Sequence, residues 1–554
     1  MVWALFGCSR SGLELMVQQE FETDVLVVGL GAAGGCAAIE AHDSGAQVIV
    51  LERQPEHSHM SNTRMSGGGF HSPLQGGDFQ ALKAYSKAMF SGEGLPNGFN
   101  REHTAQADEM AELWARLSPE NEDFMCSLDP LFRTVKLGSV AFENFPGAAQ
   151  SGYAVVKSTY TGTQDEATQF RPTNKAEKSQ KESGEAFHEC LITGIKTRGI
   201  DVHYDTRALS LVMEGDAVIG VRSVRQDLST VHYARRGVIL TCGGYEYNAR
   251  MREAFLDGPA IEGWAFYGSP ENTGDGIRMA LRVGAALLHI GNVAGRVICA
   301  VPERRHGLKV GLNTSSVGKP NEIVVDNSGS RYASERRITK DPSRYSFYKE
   351  ALQFDTTKLT YPRIPSWMIF DATLMAAGPL VRINSAAYNG IDWGNDNQNA
   401  LRNGWILQGN TLEELAQQIR KHPDGLEQMD PATLVGSVER WNAACEAKYD
   451  PEFQRDPNTM GPVNGPPYFA IPLYPGGPNT KGGLKANPQR QVLDWDDTPI
   501  PRLYTAGEIS SVFQFAYQGG GNLAEGITFG RLAGRNAAAE LPQPHRITGA
   551  KQYN

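Results

Sequence analysis

The sequence predicts an α/β fold in which a mostly parallel, nucleotide-binding type of sheet is interrupted by a smaller inserted α+β segment. Three observations carry this. The segment TDVLVVGLGAAGGCAAIEAHDSGAQVIVLER, residues 23–53, reads as buried strand, glycine turn, helix and second strand. The stretch 293–461 breaks that pattern with proline interruptions and with Trp367, Trp393, Trp405 and Trp441. Glycine accounts for 60 of 554 residues, above the usual share of about 7% and without collagen period, so many tight turns bring backbone close to something.

The first strand, residues 25–28, is four apolar residues, and residues 47–51 form the second. Between them Gly29, Gly31 and Gly34 supply GxGxxG: a tight turn, room for a pyrophosphate against backbone, and close helix–strand packing. Ala32 and Ala33 open the helix, whose N–H groups and positive dipole end face phosphates. Glu52 follows Gly29 by 23 residues, at the end of the second strand, where an acid accepts ribose hydroxyls and disfavours a 2′-phosphate. The bound group is therefore NAD or FAD. Further on, the polar stretch 162–183 reads as an exposed loop, TLEELAQQIRKH (411–422) as a helix, and the Pro/Gly-rich stretch 461–483 as the return to the first domain.

Composition narrows the class. Lys plus Arg is 53 and Asp plus Glu is 62, a net charge of −9 that gives no basic footprint for nucleic acid. No run approaches the ~18–20 apolar residues of a membrane span, and the first residues lack the basic start of a secretory signal. Met16 is an alternative start. The seven cysteines, Cys8 among them, form no CxxC or CxxCH pattern, which fits reduced thiols and a cytoplasmic location. No metal site is expected.

The loop NTRMSGGGF, residues 62–70, chooses between the two dinucleotides, because it resembles the second FAD contact of the fumarate reductase and 3-ketosteroid dehydrogenase superfamily. Further blocks resemble that superfamily in the same order: residues 183–222, RGVILTCGGYEYN (236–248), ENTGDGIRMALRVGAAL (271–287), PRLYTAGEISS (501–511) and GGGNLAEGITFGRLAG (519–534). The resemblance implies non-covalent FAD, in a Rossmann-like domain of the glutathione-reductase type interrupted by a mobile cap. Residues 21–292 and 462–554 would be its two parts, 293–461 the cap and 1–20 an extension. Besides the fingerprint glycines and Glu52, it assigns to FAD Ala32, Ala33, Arg53, Asn62, Thr63, Ser66, Gly67, Gly68, Gly69, Thr241, Gly243, Gly244, Asn272, Gly274, Asp275, Gly507, Glu508, Gly520, Asn522 and Leu523. A helix opening at Gly519–Gly521 would stabilise negative charge on reduced flavin. The covalent histidine of succinate dehydrogenases corresponds to Asn62; His57 and His59 are out of register and read as solvated.

The reaction is narrowed by comparing motifs. The dicarboxylate clamp of fumarate-type reductases is absent: Gln518 and Asn479 stand at its arginine and histidine positions, no histidine motif surrounds His289 and Gly291, and ATLMAAG follows Asp371 where the proton-donating arginine is expected. AYQGGGN instead places Tyr517 and Gly521 at the spacing of the Tyr-Pro-Gly-Ala-Gly motif of ketosteroid Δ1-dehydrogenases, whose hydroxyl and backbone N–H hold the ketone oxygen. In that family a cap tyrosine removes the α-proton while hydride leaves the β-carbon for flavin N5. The candidates are Tyr332, Tyr345, Tyr348, Tyr361 and Tyr388, with Tyr345 preferred after the block IVVDNSGSRYASE. Phe142 stands where the family's assisting tyrosine falls. The expectation is FAD-dependent desaturation of an apolar cyclic ketone, 3-ketosteroid or smaller, with an external electron acceptor. The alternatives are reduction of an activated alkene and a flavoprotein subunit passing electrons onward. Arg363 and Arg382 are the candidates should the substrate bear a carboxylate.

Overall fold

A computed structural model describes residues 19–95, 104–137, 141–160, 183–337, 345–543 and 551–552. The expectations for Cys8, for Met16 and for the loop 162–182 lie outside these residues. Among them the chain builds two main sheets. The first starts from β1 (Gln19–Val28), α1 (Ala32–Asp43) and β2 (Val48–Leu51). β1 runs parallel to β2, Val25 beside Val48 and Val28 beside Leu51, and on its other side parallel to Leu228–Leu240. Asp201–His203 continues the parallel order beyond β2, and Pro499–Thr505 beyond Leu228–Leu240. Val25, Leu26, Val27 and Val28 are all buried. They form an apolar run without alternation because both faces of the sheet are covered. An antiparallel hairpin, Arg207–Glu214 with Ala217–Arg225, adds to the first half of Leu228–Leu240.

One covering layer depends on small residues. α1 packs against the helix Gly521–Ala539, whose Gly526, Gly530 and Gly534 recur every fourth residue and so share one face. A Cβ on them would lie 2.8 Å from Ala32 Cβ, 2.5 Å from Ala33 O and 2.2 Å from Ala37 O. The two helices therefore run side by side in the same direction. Both begin beyond the carboxyl ends of the parallel strands, the usual ligand-binding edge of such sheets.

The second sheet has the order Ala265–Phe266, Leu308–Leu312, Arg296–Arg305, Tyr468–Gly477, Ser366–Asp371, Glu322–Val325, with Leu407–Gly409 also pairing with Tyr468–Gly477. Trp367 and Ile369 on one face pack with Leu415, Ile419, Leu434 and Trp441. These come from the helices Leu412–Lys421 and Pro431–Ala447. The helix expected over 411–422 is there, with Thr411 Oγ1 accepting from Glu414 N at 3.2 Å as its N-cap. The IVVDNSGSRYASE block is pinned by buried ion pairs: Arg331 to Glu335 (3.0 Å) and Asp450 (3.1 Å), and Glu335 to Arg455 (3.3 Å).

Candidate active site

A cavity of about 530 Å³ lies where the two helices begin, between the sheets. Gly29 turns the chain out of β1 at φ +102°, and a Cβ there would meet Thr241 O at 2.7 Å, so only glycine fits. At Gly34 a Cβ would fall 1.9 Å from Gly29 O, which is the close helix–strand packing expected of the third fingerprint glycine. The loop 62–70 closes over this turn: Thr63 Oγ1 accepts from Ala32 N at 2.8 Å, and Ser66 Oγ accepts from Gly68 N at 3.0 Å.

Glu52 is buried at one end of the cavity, accepting from Leu30 N (2.8 Å) and Gln54 N (2.9 Å), with His59 Nε2 at 3.5 Å. Burial pushes its pKa up, but the His59 contact and the two backbone donors outweigh this and hold it below the usual carboxylate range. His59, read from sequence as solvated, is instead 1% exposed, and its Nδ1 lies 2.9 Å from His188 Nε2. A partner 129 residues away leaves no local signal. Beside Glu52, Arg53 is tied to Glu271 (2.8 Å) and Asp275 is bridged by Arg207 (2.9 Å).

Further along, Asn62 Nδ2 donates to both Glu246 Oε1 (3.0 Å) and Glu508 Oε2 (2.9 Å). Burial, then the neighbouring Glu246, push Glu508 well above the ordinary carboxylate range, and burial likewise raises Glu246. Glu508 Oε1 is buried without a partner and lines the cavity. Asn522 Oδ1, in the first turn of Gly521–Ala539, is likewise orphaned, while its Nδ2 donates to Asn479 Oδ1 at 2.5 Å.

At this second end stand Tyr267, Arg296, Asn313, Ser315, Arg382 and Tyr517. Tyr517 is 6% exposed, and its ring rests on Lys481, whose Nζ is 5.1 Å from the ring centroid. Lys481 is fully buried and paired with Glu525 Oε1 (2.6 Å) and Ser511 Oγ (2.9 Å). Burial pushes the Tyr517 hydroxyl up and Arg296 pulls it partly back, so it stays protonated at neutral pH.

Residues 24–523 match the model of a single family, described as FAD binding domain. The chain belongs to the FAD binding domain family. A 3-oxosteroid 1-dehydrogenase of Mycobacterium tuberculosis is 26% identical over 597 residues, 94% of this chain and 99% of that protein. An NADH:fumarate oxidoreductase of Klebsiella pneumoniae is 26% identical over 522 residues, 93% of this chain but 47% of its own length, so the chain spans about half of that relative. In fold, a 3-ketosteroid delta1-dehydrogenase from Sterolibacterium denitrificans superposes with a TM-score of 0.76 at 24% identity, covering 94% of this chain and 99% of that one. The chain is thus an FAD-binding oxidoreductase.

The residues present fit FAD. A glycine-walled groove, two helix N-termini and the orphaned Glu508 and Asn522 oxygens suit an elongated, anionic, hydroxyl-bearing group. Of the residues assigned to FAD from sequence, Gly29, Gly31, Ala32, Ala33, Glu52, Arg53, Asn62, Thr63, Ser66, Gly67, Gly69, Thr241, Gly243, Asn272, Asp275, Gly507, Glu508, Gly520, Asn522 and Leu523 line the cavity. Gly34, Gly68, Gly244 and Gly274 stand behind its wall. A Cβ at Gly68 would meet Ser183 at 2.2 Å, and one at Gly244 would meet Thr480 Oγ1 at 2.1 Å. Gly274 is the left-handed N-cap of Asp275–Leu281.

Of the expected catalytic residues, Tyr517 lines the cavity. Gly521 does not: its N–H donates to Gln518 O at 3.0 Å, and a Cβ on it would lie 2.7 Å from the Phe513 ring. Tyr345, at the start of the helix Tyr345–Ala351, donates its hydroxyl to Phe515 O at 3.1 Å and lies outside the cavity wall. Tyr332 is hydrogen-bonded to Ser366 Oγ (2.8 Å), and the Tyr348 ring packs on Gly295. Arg363 is held by Glu350 (3.2 Å), whereas Arg382 is on the wall. Tyr267 and Arg296 were missed by sequence reading. Each lies on or beside a strand of the second sheet whose inward face is fixed only by long-range pairing.

Proposed function

We propose that the chain catalyses flavin-dependent α,β-dehydrogenation of a ketone, of the 3-ketosteroid or smaller cyclic type. The observation that carries this reading is the buried Tyr517, whose hydroxyl is unpaired among the described residues and which lines the cavity beside Arg296. A protonated phenol is a donor for a carbonyl oxygen. By stabilising enolate character it acidifies the adjacent C–H. FAD, when bound by the glycine groove, Glu52, Glu508 and Asn522, supplies the hydride acceptor.

The chain's own residues do the rest. Lys481, neutralised by Glu525, fixes the Tyr517 ring from behind. Tyr267 is the only other tyrosine on the cavity wall among the described residues, and we assign to it the α-proton. The second sheet closes the cavity on this side and keeps water from the reacting carbons. Electrons then pass to an external acceptor. A second reading, reduction of an activated alkene with the same residues, is supported by a relative named digoxin reductase from Eggerthella lenta, 26% identical over 560 residues.

Anaerobic mixing of the FAD-loaded protein with cyclohexanone-type and 3-ketosteroid substrates should bleach the flavin. Reoxidation of photoreduced protein by the corresponding enones would instead support the second reading. If neither class changes the flavin spectrum, both readings fail.

A further inference from the structure

Four arginines stand on the cavity wall, and they divide by their partners. Arg53 and Arg207 are ion-paired to Glu271 and Asp275 at the Glu52 end. Arg296 and Arg382 have no acid within ion-pair distance and no side-chain hydrogen bond among the described residues. Arg296 Nε is buried with no acceptor among the described residues. A buried guanidinium N–H left this way favours an anionic partner.

The two guanidinium groups are delivered by separate elements. Arg296 opens the strand Arg296–Arg305 opposite Gly476, next to Tyr517. Arg382 precedes the helix Ile383–Tyr388, is anchored by its N–H to Asn313 O (2.9 Å), and stands exposed over the Gly67 turn, where a Cβ would lie 2.9 Å from its Nη1. Two independent basic groups reaching one apolar-lined space from different elements are not a solvated charge run.

We infer that Arg296 and Arg382 form a subsite for a carboxylate carried by the substrate away from its reacting carbons, making that substrate an oxo acid. This rests on the ketone reading above and deepens it. Tyr517 takes the ketone oxygen, and the planar forks of the two arginines match a carboxylate. The positions at which a two-carboxylate clamp is expected are engaged otherwise: Gln518 with Tyr85 at 2.5 Å and Asn479 with Asn522 at 2.5 Å.

The test titrates the visible flavin spectrum of the FAD-loaded protein with cyclohexanecarboxylate and with cyclohexylmethanol. Wild type should bind the carboxylate at least about tenfold tighter. Arg296→Gln and Arg382→Gln should each abolish most of that preference with flavin content unchanged, and Arg296→Lys should restore part of it. Equal binding of the two probes by wild type overturns the subsite, as does equal weakening of both probes in Arg296→Gln. Loss of flavin from Arg296→Gln also overturns it, since the guanidinium would then belong to the cofactor. Bleaching by cyclohexanone and by 4-oxocyclohexanecarboxylate is measured separately. If the carboxylate preference holds while neither ketone bleaches and neither enone reoxidises the flavin, the subsite stands and the ketone reading falls.

Discussion

His71 ties the turn that carries Tyr517 to the opposite wall and makes the protein sensitive to acid. Its Nε2 donates to Gly519 O at 3.1 Å, Nδ1 is buried without a partner, and the ring sits edge-on to Trp114, Tyr153 and Phe513. Protonation would place a second N–H where nothing accepts it. Burial accordingly pushes the ring's pKa down from 6.5 to about 3. The folded state refuses a proton that the unfolded chain accepts below pH 6.5, so the contribution of neutral His71 is complete above that pH and is lost as pH falls toward 3. At about 1.36 kcal/mol per unit, the loss at pH 5 is about 2 kcal/mol. His232, lowered to about 3 by burial and then by His203, adds a similar amount. Urea titrations of the FAD-loaded protein at pH 7 and pH 5, followed by tryptophan fluorescence, should show wild type losing about 2 kcal/mol more than His71→Phe over that interval. The variant itself loses one hydrogen bond, about 1 kcal/mol, at both pH values. Identical pH slopes for the two proteins would refute the reasoning, because no other change removes that titration.

Other outcomes follow from the same geometry. Tyr517→Phe should lower kcat about 10²–10³-fold with flavin content unchanged, as measured by dye-coupled turnover. Gly34→Val, which sets a side chain on a Cβ already 1.9 Å from Gly29 O, should yield protein without flavin in its absorbance spectrum. Lys481→Met strands Glu525 in the core and should cost about 3–5 kcal/mol in urea titration, whereas Lys481→Met with Glu525→Met should recover most of that loss. With Asn62 in place of a linking histidine, acid precipitation should release all yellow colour to the supernatant; colour in the pellet would contradict dissociable FAD.

What the sequence made legible was what short segments encode. The fingerprint glycines each impose a backbone requirement that one residue type meets, so the spacing of Gly29 and Gly34 alone reveals their roles. The helix over 411–422 was legible in the same local way, from its own residue pattern. Legibility failed where a residue's surroundings come from distant chain. His59 is buried only because His188 and Glu52 reach it, and Arg296 faces the cavity only because its strand pairs opposite Gly476. The Gly521 case is different. The expected helix does open at Gly521, but the hydrogen bond to Gln518 O uses the N–H that the motif offers to a ligand.

Two departures from the steroid and fumarate patterns, Phe142 and Gln518, look unrelated in sequence and are joined in space by one hydroxyl. Tyr85 OH donates to Gln518 Oε1 at 2.5 Å and accepts from Phe142 N at 2.9 Å. Tyr85, itself fully buried, also lies 4.7 Å from the Tyr153 ring and 5.6 Å from Phe145, so the hydroxyl cannot swing away without opening the packed layer behind the cavity. Gln518 is therefore turned out of the cavity wall, and an arginine at that position would carry its charge into the Tyr85–Tyr153 layer. The basic groups that do line the cavity away from the Glu52 end, Arg296 and Arg382, come from the second sheet's side. On the carboxylate proposal, substrate choice would rest less on the glycine turns, whose close backbone contacts leave no room for side chains, than on the arginines brought by the second sheet's side.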